Sequence, residues 1–335
     1  MIRETCDRWK TALFKRRIAG SVRELQPGRP GRGGDEDFLV LSVMRDTELL
    51  VVQFVEYYLA LGASQIVVLD NGSRDGTLDL LSRYPEVTVI ASDLSFRTYK
   101  SQLKGYLVDR YARDRWALSV DADEHFDFPY SDVLGMNRLL AYLNANAFTS
   151  VVSYMLDLFA EGAFDRHILA PGDDLSTIYR FYDISEIDEL PYAARSGNDN
   201  RISLPQIPWK TGGIRRSVFG TKFGLTKHPL TRHVGHVTYR PAHRVVNANL
   251  ADLTGVLYHY KLLSNLLGQA RAAKDARNYS QDSRQYKAYL RTLEAQPGLV
   301  FKRPTARLLA SVDQLVDERF LYVGNAFVKC VEEFT

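Results

Sequence analysis

Trp116-Ala-Leu-Ser-Val-Asp-Ala-Asp-Glu-His-Phe126 is an apolar run that stops at three carboxylates within four residues. A run of this kind reads as a buried strand of a parallel sheet, and ligands of open α/β sheets collect just beyond the carboxyl ends of the strands. Side chains alternate along extended backbone, so Asp121 and Asp123 are expected to point the same way and to share one hard cation through oxygen ligands. A bare Asp-x-Asp is a weak signal on its own, since any polar strand end can produce it. The flanking sequence decides its weight.

Upstream, Phe38 to Val43 predicts a strand. Asp46 or Thr47 is placed to cap a helix in which Leu50, Phe54 and Tyr58, with Val51, Val55 and Leu59, recur at helical spacing until Gly62. Ile66 to Leu69 is the next strand, and strand, helix, strand in this order is a βαβ unit feeding a parallel sheet. At its end Asp70-Asn-Gly-Ser-Arg-Asp-Gly-Thr77 supplies a turn at Asn71-Gly72 and a cap at Asp75 for a helix from Thr77 to Arg83. Asp70 then faces the same crevice as Asp121 and Asp123. Val87 to Ala91 predicts a third strand, and residues 98 to 113 a helix leading into the carboxylate strand.

Downstream, residues 131 to 146 are helical, and Thr149 to Leu156 is a strand ending in Asp157-Leu-Phe-Ala-Glu-Gly162. Residues 163 to 210 show little periodicity, as expected of a long loop excursion from the sheet. From Leu262 onward the pattern is helical, interrupted at Pro297-Gly298 and Pro304.

With 335 residues and 45% hydrophobic composition, the chain can build one large α/β domain with an appendage. Residues 1 to 34 hold nine Lys/Arg against three Asp/Glu, leaving the rest slightly acidic, which disfavours a nucleic-acid binder. Trp9, Leu13, Phe14 and Ile18 on one side of a basic helix over residues 1 to 25 suit an anionic membrane surface or a partner. Pro27 to Gly34 is a linker by its Gly/Pro density. Cys6 and Cys330 are too few for a disulfide framework, which fits the cytoplasm, and no run approaches the roughly 18 apolar residues of a membrane span. The expected location is cytoplasmic, peripheral at the inner face of the plasma membrane if the basic helix engages it. Five of the seven histidines fall between His228 and His259, but their spacings match no compact zinc motif.

Ser42-Val-Met-Arg-Asp-Thr-Glu48, Leu61-Gly62, Asp70 to Thr77 and Asp121-Ala-Asp-Glu124, in this order, resemble the family 2 type of glycosyltransferase with a GT-A fold, in the bacterial branch distantly similar to family 92 enzymes. Gly212 to Gly220, Lys227 to Arg232 and Leu257-Tyr-His-Tyr-Lys261 extend the resemblance, which covers residues 38 to about 270. It implies a nucleoside diphosphate sugar donor held by Asp70 at the base or ribose, with Arg45, Glu48, Gln102, Asp121 and Lys261 around it. Mn²⁺ or Mg²⁺ would sit on Asp121 and Asp123 with His259 completing the set, His243 being a weaker candidate. Arg215 and Lys227 carry over as further charges. His125 departs from the aromatic residue usual after the Glu.

An inverting transferase needs a base for the acceptor hydroxyl, and Asp157 and Glu161 are the candidates, in competition with the acids between Asp183 and Asp199. The expected organisation is a basic segment and linker (1–36), a GT-A domain of mostly parallel sheet flanked by helices (37–270; donor half 37–128, acceptor half 129–270) and a helical C-terminal extension (271–335), with dimerisation through the tail as one role for the latter. The expected activity is metal-dependent sugar transfer to a glycan or glycolipid of the bacterial envelope or capsule. A nucleotidyltransferase shares the metal-on-aspartates chemistry, and a catalytically silent relative acting in membrane or protein assembly is the reading from another class.

Overall fold

A computed structural model describes residues 14, 16–29, 33–196, 199–221, 223–240, 244–275 and 282–334. Trp9, Lys10 and Leu13 of the expected amphipathic helix, and His243, lie outside them. Residues 16–21 are helical with Ile18 buried, but the helix does not run to residue 25. Arg23–Gln26 (β1) extends instead as an edge strand.

Phe38–Met44 (β2), Val51–Ala60 (α1), Gln65–Asp70 (β3), Thr77–Leu81 (α2), Val87–Ala91 (β4), Phe96–Tyr111 (α3) and Trp116–Ser119 (β5) follow as expected. β3 lies parallel on one side of β2 and β4 beyond it, while β5 pairs parallel with β2 on the other side. The chain therefore reverses direction of travel across the sheet at β2, and the crevice between the ends of β2 and β5 is where open α/β sheets bind ligands. β1 closes the far edge antiparallel to β4.

Glu124–Asp127 (β6), Ser131–Ala145 (α4) and Ser150–Asp157 (β7) come next. The excursion that lacked periodicity holds Leu175–Ile178 (α5), Phe181–Tyr182 (β8), Ile187–Pro191 (β9), Tyr192–Ser196 (α6), Arg201–Ile202 (β10) and Pro208–Gly212 (β11). Ile214–Phe219 (α7), Thr226–Lys227 (β12), Leu230–Arg232 (β13), Thr238–Arg240 (β14), Arg244–Val246 (β15) and the long Asn249–His259 (β16) complete the second half. The sheet order is β1-β4-β3-β2-β5-β13-β7-β16-β10, with β13 antiparallel between β5 and β7, and β7 parallel to β16. β12 adds to β7 and β6 to β16, both antiparallel.

The central strands are apolar throughout because helices cover both faces of the sheet, so both sets of alternating side chains are buried. Phe38 and Val40 of β2 pack with Phe54 and Tyr58 of α1 and Leu139 of α4, while Leu39, Leu41 and Val43 pack with Leu103 and Leu107 of α3 on the opposite face. Each such side chain contributes about 1.5–3 kcal/mol by leaving water. Neither Asp46 nor Thr47 caps α1 through its side chain. Asp46, at φ 51°, accepts the Arg74 amide at 2.7 Å, and Thr47 offers its carbonyl to the amides of Leu50 and Val51.

The C-terminal extension, Leu266–Asp275 (α8), Asp282–Ala295 (α9), Arg307–Leu308 (β17), Gln314–Asp317 (α10) and Asn325–Glu332 (α11), packs on the second half of the sheet. Leu315 and Phe320 join Tyr154 of β7 in one core, and Tyr289 joins Phe159 and Phe219 in another. The buried ammonium of Lys210 pairs with Glu189 among the rings of Tyr154, Phe320 and Tyr322, at 5.0 to 5.3 Å from their centres. The whole is a mixed α/β architecture of GT-A or Rossmann-like kind, its long central strands parallel and its tail helical. Among the described residues no helix is long and apolar enough to cross a membrane.

Candidate functional site

Three strands end side by side. In the ladders of β16, His259 stands opposite Asp157 of parallel β7 and opposite Glu124 of antiparallel β6. The register alone thus brings together residues far apart in sequence, with the strands spaced at the usual ~4.8 Å. The Asp157 carboxylate lies 2.5 Å through Oδ1 from His259 Nδ1 and accepts through Oδ2 from Arg215 Nε at 2.8 Å. All three side chains are buried. Burial pushes the Asp157 pKa up, but Arg215 and His259 outweigh it and hold the carboxyl down at about 2.

The other nitrogen of His259, Nε2, is 3.6 Å from Asp123 Oδ2. Asp123 is fixed from behind, since its carbonyl accepts the Tyr260 amide at 2.8 Å. Burial raises the pKa of this carboxyl, and His259 and then Lys261, whose Nζ is 3.6 Å away, bring it below its ordinary value.

The expectation that Asp121 and Asp123 alternate on extended backbone fails. β5 ends at Ser119, and residues 121–124 form a turn closed by the Glu124 amide on the Asp121 carbonyl at 3.1 Å. Asp123 and Glu124 converge with His259, their ligand atoms all within 4.8 Å of one another, and these three are the group among the described residues that could hold a metal ion. Asp121 turns aside to the buried Lys104 of α3, Oδ1 to Nζ 2.5 Å. Its backbone amide still touches the cluster by donating to Glu124 Oε2 at 3.1 Å.

Glu124 Oε1 pairs with Lys227 at the end of β12. Burial lowers the Lys227 pKa, but the nearby acids, Glu124 first, raise it on balance; for Lys104 burial wins over Asp121 and the pKa falls. Four carboxylates (Asp121, Asp123, Glu124, Asp157) thus meet four cations (Lys104, Lys227, Lys261, Arg215). One imidazole nitrogen with two carboxylates is a donor set suited to Mn²⁺ and related divalent ions, and a carboxylate behind the histidine is the usual support of such a ligand. The residues therefore fit the group.

The remaining predicted residues are spread around the crevice. Asp70 is buried at the end of β3, where its carboxylate accepts the amides of Gly72 and Ser73 at 3.0 and 3.2 Å and so builds the turn beside it. Glu48 accepts the Gly76 amide at 3.2 Å, stitching the loop after β2 to the loop after β3. Arg45 lies at the mouth, exposed, 3.4 Å from Asp46. Gln102 follows Lys104 back by two helical positions and so projects about 200° around α3 from the lysine that meets Asp121. Glu161 sits on the rim, 70% exposed and paired with Lys302. His125 is buried, stacked on Tyr57 at 4.2 Å, with burial driving its pKa down to about 3. His228 contacts the Tyr192 hydroxyl at 2.6 Å within the core.

Lys104 and the ligand role of Glu124 are the residues that sequence reasoning missed. A signal for Lys104 existed: it interrupts the apolar face of α3 formed by Leu103, Leu107 and Val108, where a lysine must have a buried partner.

No family model matches the chain, and no curated protein does. Among solved structures, a mannosyltransferase from Pyrobaculum calidifontis in complex with GDP-Man and Mn²⁺ is 17% identical over 47% of this chain and 46% of that one, with a TM-score of 0.29. The chain thus spans under half of that protein's length. A 4-diphosphocytidyl-2C-methyl-D-erythritol synthase is 12% identical over 85% of this chain and 96% of that one, with a TM-score of 0.26. At these scores neither likeness bears on function.

Proposed function

We propose that the chain is a metal-dependent glycosyltransferase that moves a sugar from a nucleoside diphosphate donor to a glycan or glycolipid acceptor of the bacterial envelope, with inversion. The observation that carries this reading is the Asp123–Glu124–His259 cluster, set at the carboxyl ends of the sheet beside the crevice between β2 and β5. The order of sequence motifs from Ser42 to Lys261 supports it.

Asp123, Glu124 and His259 would hold Mn²⁺ or Mg²⁺, which supplies charge neutralisation for a departing diphosphate. Lys261 and Lys227 stand at the same point and would stabilise the phosphate oxygens as their charge grows. Asp70 and Arg45 border the nucleotide end. Asp157 has both oxygens engaged by His259 and Arg215, which leaves the role of proton acceptor to the exposed Glu161 or to the acids between Asp183 and Asp199.

The test is thermal stabilisation by a panel of nucleoside diphosphate sugars and bare diphosphates, each with and without Mn²⁺. A ligand that binds only the native state raises its stability with concentration. The expected outcome is a shift for one nucleotide that requires Mn²⁺ and disappears in Asp123→Ala, whose own unfolding temperature stays near that of the parent. No shift with any nucleotide would remove the proposal in favour of a silent relative.

A further inference from the structure

The chain Arg215–Asp157–His259 lies wholly inside the protein, the three residues being 3%, 5% and 6% exposed. Both oxygens of the Asp157 carboxylate are engaged, one by each neighbour. What this carboxylate can do is act on the imidazole it faces. We infer that Asp157 and Arg215 are positioning residues that fix a proton of His259 on Nδ1 and present Nε2 to Asp123 and Glu124, where a metal ion would take its lone pair.

Three independent restraints support this. Oδ1 of Asp157 is 2.5 Å from Nδ1 and, as a carboxylate, can only accept, so the ring must donate from Nδ1. Arg215 Nε donates to the other oxygen at 2.8 Å, so the carboxylate cannot rotate away without leaving a buried guanidinium unpaired. The backbone is held as well: the His259 carbonyl accepts the Leu158 amide at 3.1 Å, and the next amide, of Tyr260, donates to the Asp123 carbonyl at 2.8 Å. Ring and facing acid are thus locked to the same pair of strand ends. The arrangement pre-forms a nitrogen ligand of one tautomer, which a histidine free to choose its proton would present only part of the time.

This inference rests on the metal reading above, and the experiment separates the two. Mn²⁺ alone is titrated into the full chain, with affinity read by electron paramagnetic resonance and the bound ion examined by spin-echo modulation in protein carrying ¹⁵N-histidine. The parent is expected to show coupling to one histidine nitrogen, absent in His259→Ala. Asp157→Asn should lose affinity by about 10- to 100-fold, the range for removal of such support, together with the nitrogen coupling. Because Asp157→Asn strands the buried Arg215, the double variant Asp157→Leu/Arg215→Met is measured beside it; it removes both charges and every acceptor facing Nδ1, and should show the same loss at an unfolding temperature close to the parent's. A double variant that binds Mn²⁺ as tightly as the parent, with the histidine coupling intact, overturns the positioning role and leaves the metal site standing. A parent that takes up no Mn²⁺ overturns the metal reading, and this inference with it.

Discussion

Lys227→Met tests how the candidate site stores its charge. The thioether keeps most of the apolar stem and removes the ammonium that faces Glu124. Glu124 is 1% and Lys227 12% exposed at the side chain, so neither partner has water to fall back on. Breaking a buried pair from one side costs about 3–5 kcal/mol; the Asp121 amide still serves Glu124 Oε2, which puts the expected loss near the lower end, about 3 kcal/mol. With an unfolding entropy of about 2.1 cal/mol/K per residue over the chain, that is a fall of about 4 °C in Tm. The fall is expected in EDTA. In the parent, Mn²⁺ has to displace the ammonium from Glu124, whereas in the variant it takes a vacant carboxylate. Mn²⁺ at a hundredfold over its Kd adds about 2.7 kcal/mol, enough to return the variant close to the parent. Thermal unfolding of both proteins in EDTA and across a Mn²⁺ series reads both effects. A variant as stable as the parent in EDTA would refute the buried pair; a destabilised variant that gains no more from Mn²⁺ than the parent would refute the competition.

Other sites give sharper tests of the fold. His233 is buried with neither ring nitrogen hydrogen-bonded, and burial, only partly opposed by Asp109, drives its pKa down to about 4. The folded value lies below the unfolded value near 6.5, so its contribution is full above pH ~6.5 and lost as pH falls toward 4, by about 3 kcal/mol. Denaturant titrations of parent and His233→Leu at pH 7 and pH 4 should show the variant losing about that much less over the interval; equal losses would rule the histidine out. Gly255 of β16 has no room for a methyl group, since a Cβ there would sit 2.6 Å from the Phe126 ring and 3.0 Å from the Asp127 carbonyl. Gly255→Ala should cost about 1–3 kcal/mol by chemical denaturation, and a neutral result would mean that β6 can move off β16 freely.

The first half of the fold was legible because its signals are local. β2, α1 and β3 announce themselves by apolar runs and helical spacing within 33 residues, whereas the reversal at β2 appears only with the pairing of β5 on its other side. The edge strand β1 was not legible: Arg23–Gln26 reads as the end of a basic helix, and only its pairing with β4, more than 60 residues on, makes it extended. The same contrast runs through the site. Asp123 was marked by the apolar run that precedes it, and His259 by the resemblance of Leu257-Tyr-His-Tyr-Lys261. Glu124 escaped because the alternation argument assumed extended backbone where the chain turns, and an acid displaced by one residue changes its direction. Lys227 lies 103 positions from Glu124 and Arg215 58 from Asp157, distances over which a single sequence carries no pairing signal.

The row of His259, Asp157 and Glu124 across β16, β7 and β6 has a bearing on how such a protein can change. Its spacing is a property of the backbone ladder, so no loop has to be correct for the three side chains to meet. The excursion from residue 163 to 210 adds β10 to the start of β16 but contributes no rung to these pairings at its far end. Insertions and exchanges there can reshape what approaches the centre while the centre keeps its dimensions. Variety at the entrance and constancy at the core are, in this chain, assigned to different parts of the same sheet.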